Sequence, residues 1–389
     1  MNAGAVVFLR NLIIAFSSII IITRGVKVLP PDQTSFIVAL IILVNAQNTL
    51  YEGLFVTHTM AFKENVASAI FKQQEKFVFI IPAIFTTLSV IYSDLFLNFK
   101  LSFLIIAVIY FTFLFNVLSL CVSNIFCTSN RYSLVFILDC ILTIISSYYV
   151  MLNHDMLAIV FVLLVRILSS GVAGLITLYK KHDINDDVPI YSKAYFFATS
   201  LSMVRDSVLP LLIGALLGPF YLVAIRVFNT CYSAPGLVAG AMNKVIIRAA
   251  HRIGGFYKIE KIYIIMLFTL SLSYFVLWWV GGDELYTHLF GNKKYFEASS
   301  FYISLLLFCL FWPLGQLSIS KLIYHGLSNV YYKISIIWTM VALLCTTTLY
   351  FYNLSTYIIV FSLSQSLNIF IILYVNHYVK GKNENYNVS

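Results

Sequence analysis

The chain has 389 residues, 60% of them apolar and 11% charged, with a formal net charge of +9. Soluble domains carry about 25% charged residues, so this chain has too few charges to cover a water-facing surface, and most of what it exposes must face lipid. The lysines and arginines fall in short segments between apolar runs, which makes the basic excess a topology signal and excludes a nucleic-acid footprint. The six cysteines are scattered with no C-x-x-C pair, so neither a zinc site nor a disulfide framework is indicated. No phosphate-cradling G-x-x-x-x-G-K-[ST] loop is present, no set of residues has metal-ligand spacing, and no cofactor is implied.

A membrane-crossing helix needs about 20 mainly apolar residues. The sequence offers twelve candidates, at roughly residues 8–29, 35–60, 77–93, 101–122, 133–151, 156–179, 195–215, 219–240, 262–281, 300–323, 332–351 and 355–378. No small-residue cleavage site follows the first run, which is therefore expected to stay as the first span. Orientation follows from the excess of Lys and Arg on the cytoplasmic side. Twelve spans place seventeen of these residues on one side, from Arg10, Lys63 and Lys72 to Lys380 and Lys382. Five fall on the other side, namely Arg24, Lys27, Lys100, Lys293 and Lys294. Both termini are thus expected in the cytoplasm.

The segments between spans are short, and the longest outer one, about Gly282–Ser299, leaves no room for a soluble catalytic domain. The stretch Ala241–Lys261 alternates basic and apolar residues, as in a helix lying on an anionic leaflet. The most polar stretch, Lys180–Lys193, follows the sixth span. It divides the chain into a six-helix bundle over 1–179, a linker over 180–194, a second six-helix bundle over 195–378 and a tail over 379–389, an arrangement common among transporters. The expected fold is an all-α integral membrane protein with two six-helix bundles around a central cavity.

Several spans carry polar stripes at helical spacing. The second has Asn45, Asn48, Thr49, Glu52 and Thr59; the fourth Asn116, Ser119 and Ser123; the sixth Arg166, Ser170, Gly174 and Thr177; the eighth Arg226, Asn229, Thr230 and Ser233; the twelfth Ser364, Gln365 and Asn368. Such stripes either glue helices together or line a wet cavity. The arginines weigh toward the cavity, because a charge at the bilayer centre costs at least about 2.5–3.5 kcal/mol. Arg166 and Arg205 lie near the middle of their spans, and Arg226 lies about 10 Å inside the eighth. Arg24, near the outer end of the first span, either joins them or snorkels to the interface. Asp139, Asp206 and Glu52 are the acids within reach as counter-ions; Glu52 and Asp139 are also candidates for coupling a proton or sodium ion. The balance is cationic, which suits an anionic substrate held by arginine forks.

Three stretches carry a family resemblance. The first span ends in Thr23-Arg24-Gly25 and runs to Leu29-Pro30. The seventh and eighth spans join through Leu216-Leu217-Gly218-Pro219-Phe220-Tyr221 and continue to Arg226-Val227-Phe228-Asn229. The tenth is entered through Leu289-Phe290-Gly291-Asn292-Lys293-Lys294-Tyr295-Phe296-Glu297-Ala298. With the span count and the two halves, these resemble the O-antigen and polysaccharide flippases of the MOP (MATE-like) exporter superfamily. The resemblance implies a bacterial inner-membrane translocase, not an enzyme, whose partner is an undecaprenyl-diphosphate-linked oligosaccharide moved outward by alternating access. It further implies that Arg24, Arg166, Arg205 and Arg226 hold the diphosphate, and it places the protein beside membrane lipids and other polysaccharide assembly proteins. The competing readings are a membrane polymerase or acyltransferase of the same pathway, and a MATE-like antiporter of cationic small molecules, which needs net acid in its cavity.

Overall fold

The computed structural model describes residues 3–56, 75–97, 99–125, 132–153, 155–179, 193–253, 255–291 and 298–386. Thr59 and most of the 180–194 linker lie outside these residues. The described chain is entirely helical. It divides into two compact units, Met1–Thr230 and Cys231–Ser389, and each is described by itself.

The first unit contains α1 (Ala3–Val28), α2 (Pro31–Tyr51), α3 (Glu75–Phe96), α4 (Phe103–Ile125), α5 (Ser133–Leu152), α6 (Met156–Val165), α7 (Leu168–Tyr179), α8 (Lys193–Met203), α9 (Leu209–Leu217) and the start of α10 (Pro219–Ile253). Its centre is α2, in which every residue from Thr34 to Val44 is buried. This helix opens with Pro31 in its first turn, where a missing N–H costs nothing. Around it, α4 packs closely on α7 and α3, α1 packs on α5, and α8 packs on α2. The opposite faces, bearing Leu95, Phe103, Ile144 and Ile145, stay exposed, as lipid-facing surface requires.

The second unit holds the rest of α10 with α11 (Tyr257–Phe290), α12 (Ala298–Tyr324), α13 (Ser328–Phe351), α14 (Leu354–Ser364) and α15 (Leu367–Tyr386). Here α12 is central and packs on α11, α13, α14 and α15.

Among the described residues, ten helical stretches are long and apolar enough to cross a membrane, and the bent pair α6/α7 makes eleven. The eighth expected span, 219–240, is helical as the first part of α10. Two further boundaries differ from expectation. Residues 241–253 continue α10 without a break. The expected outer loop from Gly282 is helical as far as Phe290, because Gly282 takes φ 49°, ψ −145° and kinks α11 instead of ending it.

The sixth and twelfth spans share a construction. Both start from a side-chain cap on extended backbone: Asp155 accepts from the Leu157 N–H at 3.2 Å, and Asn353 accepts from the Thr356 N–H at 2.8 Å, the usual N-cap chemistry. Both then break after three turns, at Arg166-Ile167 and at Gln365-Ser366. The first break bends the helix by 48°.

Close helix approach in the first unit depends on glycine. A Cβ on Gly174 of α7 falls 2.8 Å from Leu118 Cβ and 2.9 Å from the Leu118 carbonyl oxygen of α4, so any side chain there must push the two helices apart. Gly174→Leu is expected to cost about 1–3 kcal/mol by over-packing, read as a lowered melting temperature of the purified protein in detergent. Gly240→Ala, at a position where a Cβ meets nothing within 4 Å, is expected to leave it unchanged or raise it.

Candidate functional site

The helices of the first unit bring three groups of charged and polar side chains into its interior. The most deeply buried centres on Arg10 and Asp139, only 3% and 0% exposed. Arg10 Nε donates to Asp139 Oδ2 at 2.7 Å. Its Nη2 donates to Ser170 Oγ at 2.9 Å and to Ser119 Oγ. Asp139 Oδ1 accepts the Ser170 backbone N–H at 3.1 Å, and Ser170 Oγ donates to Ser119 Oγ at 2.7 Å. The cluster thereby ties α1, α4, α5 and α7 together. It satisfies both charges, as a buried pair requires.

Arg166 lies at the adjacent break between α6 and α7. Its Nη1 donates to Ser18 Oγ of α1 at 2.6 Å, while its Nε is buried with no hydrogen-bond partner. Asp139 serves Arg10, so Arg166 has no acid partner among the described residues. The helix break places this side chain: the last turn of α6 tightens, and the Arg166 carbonyl, released from helical bonding, accepts Thr143 Oγ1 at 3.3 Å.

The second group lies where α2 meets α8. Here α2 runs on into a π-helical turn, Glu52–Val56, and α8 into another, Val204–Val208. Single π turns inside α-helices are frequent at functional sites. The second has a local cause in Pro210. Proline has no N–H to give to the carbonyl four residues back, which is that of Asp206, and the chain instead bonds Leu209 N–H to Val204 O. Arg205 and Asp206 on this turn form a bidentate pair, Nε to Oδ1 and Nη2 to Oδ2, both at 2.6 Å. Regular helical phase sets neighbours about 100° apart; the long side chains close that gap. The pair is 25% and 55% exposed. The first turn packs tightly on α8, since a Cβ on Gly53 falls 1.6 Å from Thr199 Oγ1. Glu52 is half-buried beside it, Asn45 is exposed, and Asn48 Oδ1 accepts from Asn116 Nδ2 at 2.5 Å.

The third group is on α10. Arg226 is half-buried, its Nε is enclosed with no hydrogen-bond partner, and no described residue gives its guanidinium an acid. Asn229, one turn on, is also half-buried. Arg24 lies half-buried near the end of α1.

The stripes of the fourth and sixth spans therefore act as glue. Ser119 and Ser170 serve Arg10, Asn116 donates to Gln47 Oε1 at 3.0 Å and to Asn48, Gly174 meets Leu118, and Thr177 Oγ1 lies 2.9 Å from Tyr132 OH. Arg166 of the sixth span and Arg226 of the eighth have no acid partner among the described residues, and the seventh carries the partly exposed Arg205–Asp206 pair. Arg10, counted in the sequence as a cytoplasmic topology charge, belongs to the interior. Its signal was a polar stripe through Arg10, Ser17 and Ser18 that matches Asp139, Thr143 and Ser147 on the fifth span. A further missed cluster lies in the second unit, where buried Lys321 pairs with Glu260 at 2.5 Å and donates to Asn376 Oδ1 at 2.6 Å.

This all-helical arrangement is that of a known class of membrane transporters. The chain has the fold of MATE transporters of the MOP superfamily. An outward-facing multidrug-resistance MATE family transporter aligns over 99% of this chain and 97% of its own, with 13% identity and a TM-score of 0.65. An inward-facing multidrug-resistance MATE family transporter aligns over 99% and 96%, with 13% identity and a TM-score of 0.62. A MOP superfamily transporter from Pyrococcus furiosus, described as having a binding pocket of reverse polarity that suggests a different function, aligns over 98% and 96%, with 14% identity and a TM-score of 0.65. No protein-family model and no curated protein sequence matches the chain.

Removing one partner of a buried ion pair strands the other charge, at about 3–5 kcal/mol. Asp139→Asn is therefore expected to lower the melting temperature strongly. Replacing both residues, Arg10→Met with Asp139→Leu, is expected to recover most of the loss. A double variant as unstable as the single one would mean that the cluster holds the fold by something other than charge balance.

Proposed function

We propose that the protein is a flippase that moves an undecaprenyl-diphosphate-linked O-antigen or other polysaccharide repeat unit from the inner to the outer leaflet of a bacterial inner membrane by alternating access. The observation that carries this reading is Arg226, a guanidinium inside a membrane helix with no acid partner among the described residues. An uncompensated charge in that position is costly, and the cost is offset when a ligand supplies the opposite charge. Arg166, bonded to Ser18 alone, is a second such cation. Diphosphate oxygens are suited to both, since arginine binds phosphate through paired N–H groups. Moving each negative charge outward across an inside-negative membrane is favourable by about 2.3 kcal/mol per 100 mV, so the potential itself assists export without ATP.

The fold supports transport, and the charge balance favours an anion. The helices of the first unit carry Arg10, Arg24, Arg166, Arg205 and Arg226 against Glu52, Asp139 and Asp206 outside their first and last turns. A MATE-like antiporter of cationic compounds is the second reading. The multidrug transporters among the structural neighbours favour it, and the excess of arginine opposes it.

Deleting the gene in its native host is expected to abolish surface polysaccharide and to accumulate complete lipid-linked repeat units on the inner leaflet. Wild-type protein restores export, while Arg226→Gln, present at equal level in the membrane, is expected to restore less than about a tenth of it, as for loss of a charged contact. Unchanged surface glycan with new sensitivity to cationic dyes would instead establish the antiporter.

A further inference from the structure

The Arg205–Asp206 pair differs from every other charged group in the first unit. Arg205 is the middle residue of the 25-residue span Lys193–Leu217, about 18 Å from either end at 1.5 Å per residue. At that depth Asp206 is 55% exposed and Arg205 25%. Charged side chains at mid-span face a protein interior or a water-filled cavity, not hydrocarbon, so this face of α8 borders water. Ser207, the next residue, is buried, which puts the packed side of the helix elsewhere. Three features then bear on what the pair does. Its two bonds at 2.6 Å occupy the same guanidinium edge that a phosphate would use. A water-exposed pair is weak and easily exchanged, in contrast to the enclosed Arg10–Asp139 pair. The pair also rides on a π turn whose Asp206 carbonyl has lost its usual donor to Pro210, a backbone less tightly held than regular helix. Among the described residues, the elements packed on this turn carry two further carboxylates, Glu52 on the π turn of α2 and Asp32 in the first turn of α2.

We infer that Asp206 is a displaceable internal counter-ion: it occupies the Arg205 fork in the empty transporter and yields it to a diphosphate group of the substrate. Asp206 thereby keeps a mid-membrane arginine neutral when no ligand is present. It also sets the affinity for the anion, because each binding event must first break the pair. The inference rests on the anion-transport reading above and adds to it a residue that weakens binding, so that the anion is released as well as captured.

The test uses the full-length protein in detergent, titrated calorimetrically with inorganic diphosphate and, separately, with farnesyl diphosphate. Asp206→Asn is expected to bind about five-fold tighter or more, at the lower end of typical coupling between sites. Arg205→Gln with Asp206→Asn is expected to lose that gain, and Asp206→Glu to return to wild-type affinity. A gain with both anions assigns recognition to the diphosphate alone; a gain confined to the prenyl form assigns the ligand to a lipid. Melting temperatures and size-exclusion profiles identify any variant that fails to fold, and Asp206→Ala then replaces Asp206→Asn. Unchanged or weaker binding in a folded Asp206 variant, with binding still lost in Arg226→Gln, overturns the counter-ion role and leaves the flippase reading standing. No binding of either anion by any variant overturns both.

Discussion

A guanidinium placed inside a membrane helix must be paired, hydrated or held for a ligand, and much of the first unit is arranged around that constraint. Each outcome is visible in a different arginine. Arg10 is paired: Asp139, Ser119 and Ser170 surround it, and to do so they draw four helices together. Arg205 is paired in water, with the next residue in sequence as its partner. Arg166 and Arg226 have no acid partner among the described residues. The helix packing follows from these assignments. The approach of α4 to α7 at Gly174 brings Ser119 and Ser170 to the same arginine, and the break at Arg166-Ile167 turns that side chain toward Ser18. The arginines thus divide into a structural set, satisfied within the unit, and a set left without an acid among the described residues.

The helices themselves were legible because a bilayer imposes a simple pattern of long apolar runs with charge between them. Every expected span falls on helix over nearly all of its described residues for that reason. What stayed hidden depends on information that hydropathy does not carry. Residues 241–253 extend α10 because nothing in the segment stops a helix, and the kink at Gly282 let α11 continue where a loop was expected. Helical phase placed Ser119, Ser170 and Arg166 on polar faces, but phase cannot say which face meets which. Asp139 was among the acids within reach of Arg166 and Arg205; it neutralises Arg10, which the close packing of α1 on α5 brings to it. Asp206, another of those acids, does pair with Arg205, although neighbours on a regular helix lie about 100° apart, because both side chains are long enough to turn toward each other.

Pro210 shows that part of this was available from local chemistry. A proline inside a span removes a hydrogen bond from the residue four before it, and that residue is Asp206. The widened turn therefore falls on the one stretch of the seventh span that carries two charges. A helix whose carbonyls are all satisfied offers a ligand only side chains. One opened by proline also offers a backbone that can shift while those side chains exchange partners.

The breaks in the sixth and twelfth spans extend this to the architecture as a whole. Both spans start from a capped, extended residue, run about three turns and break, which is the kind of correspondence expected of two halves built on one plan. Their sequences barely resemble each other, because the plan needs only a cap, an apolar run and a polar residue at the break. At that break the first unit has Arg166 and the second has Gln365. Glutamine can satisfy its neighbours without a counter-ion: it accepts from Asn368 Nδ2 at 3.3 Å, and Asn368 in turn lies against Gly315. A break recurs in both units, but the helix bends sharply only at the first, where the positive charge stands. Glutamine suffices where the span runs on nearly straight, so the charge at Arg166 is not something that a break as such requires.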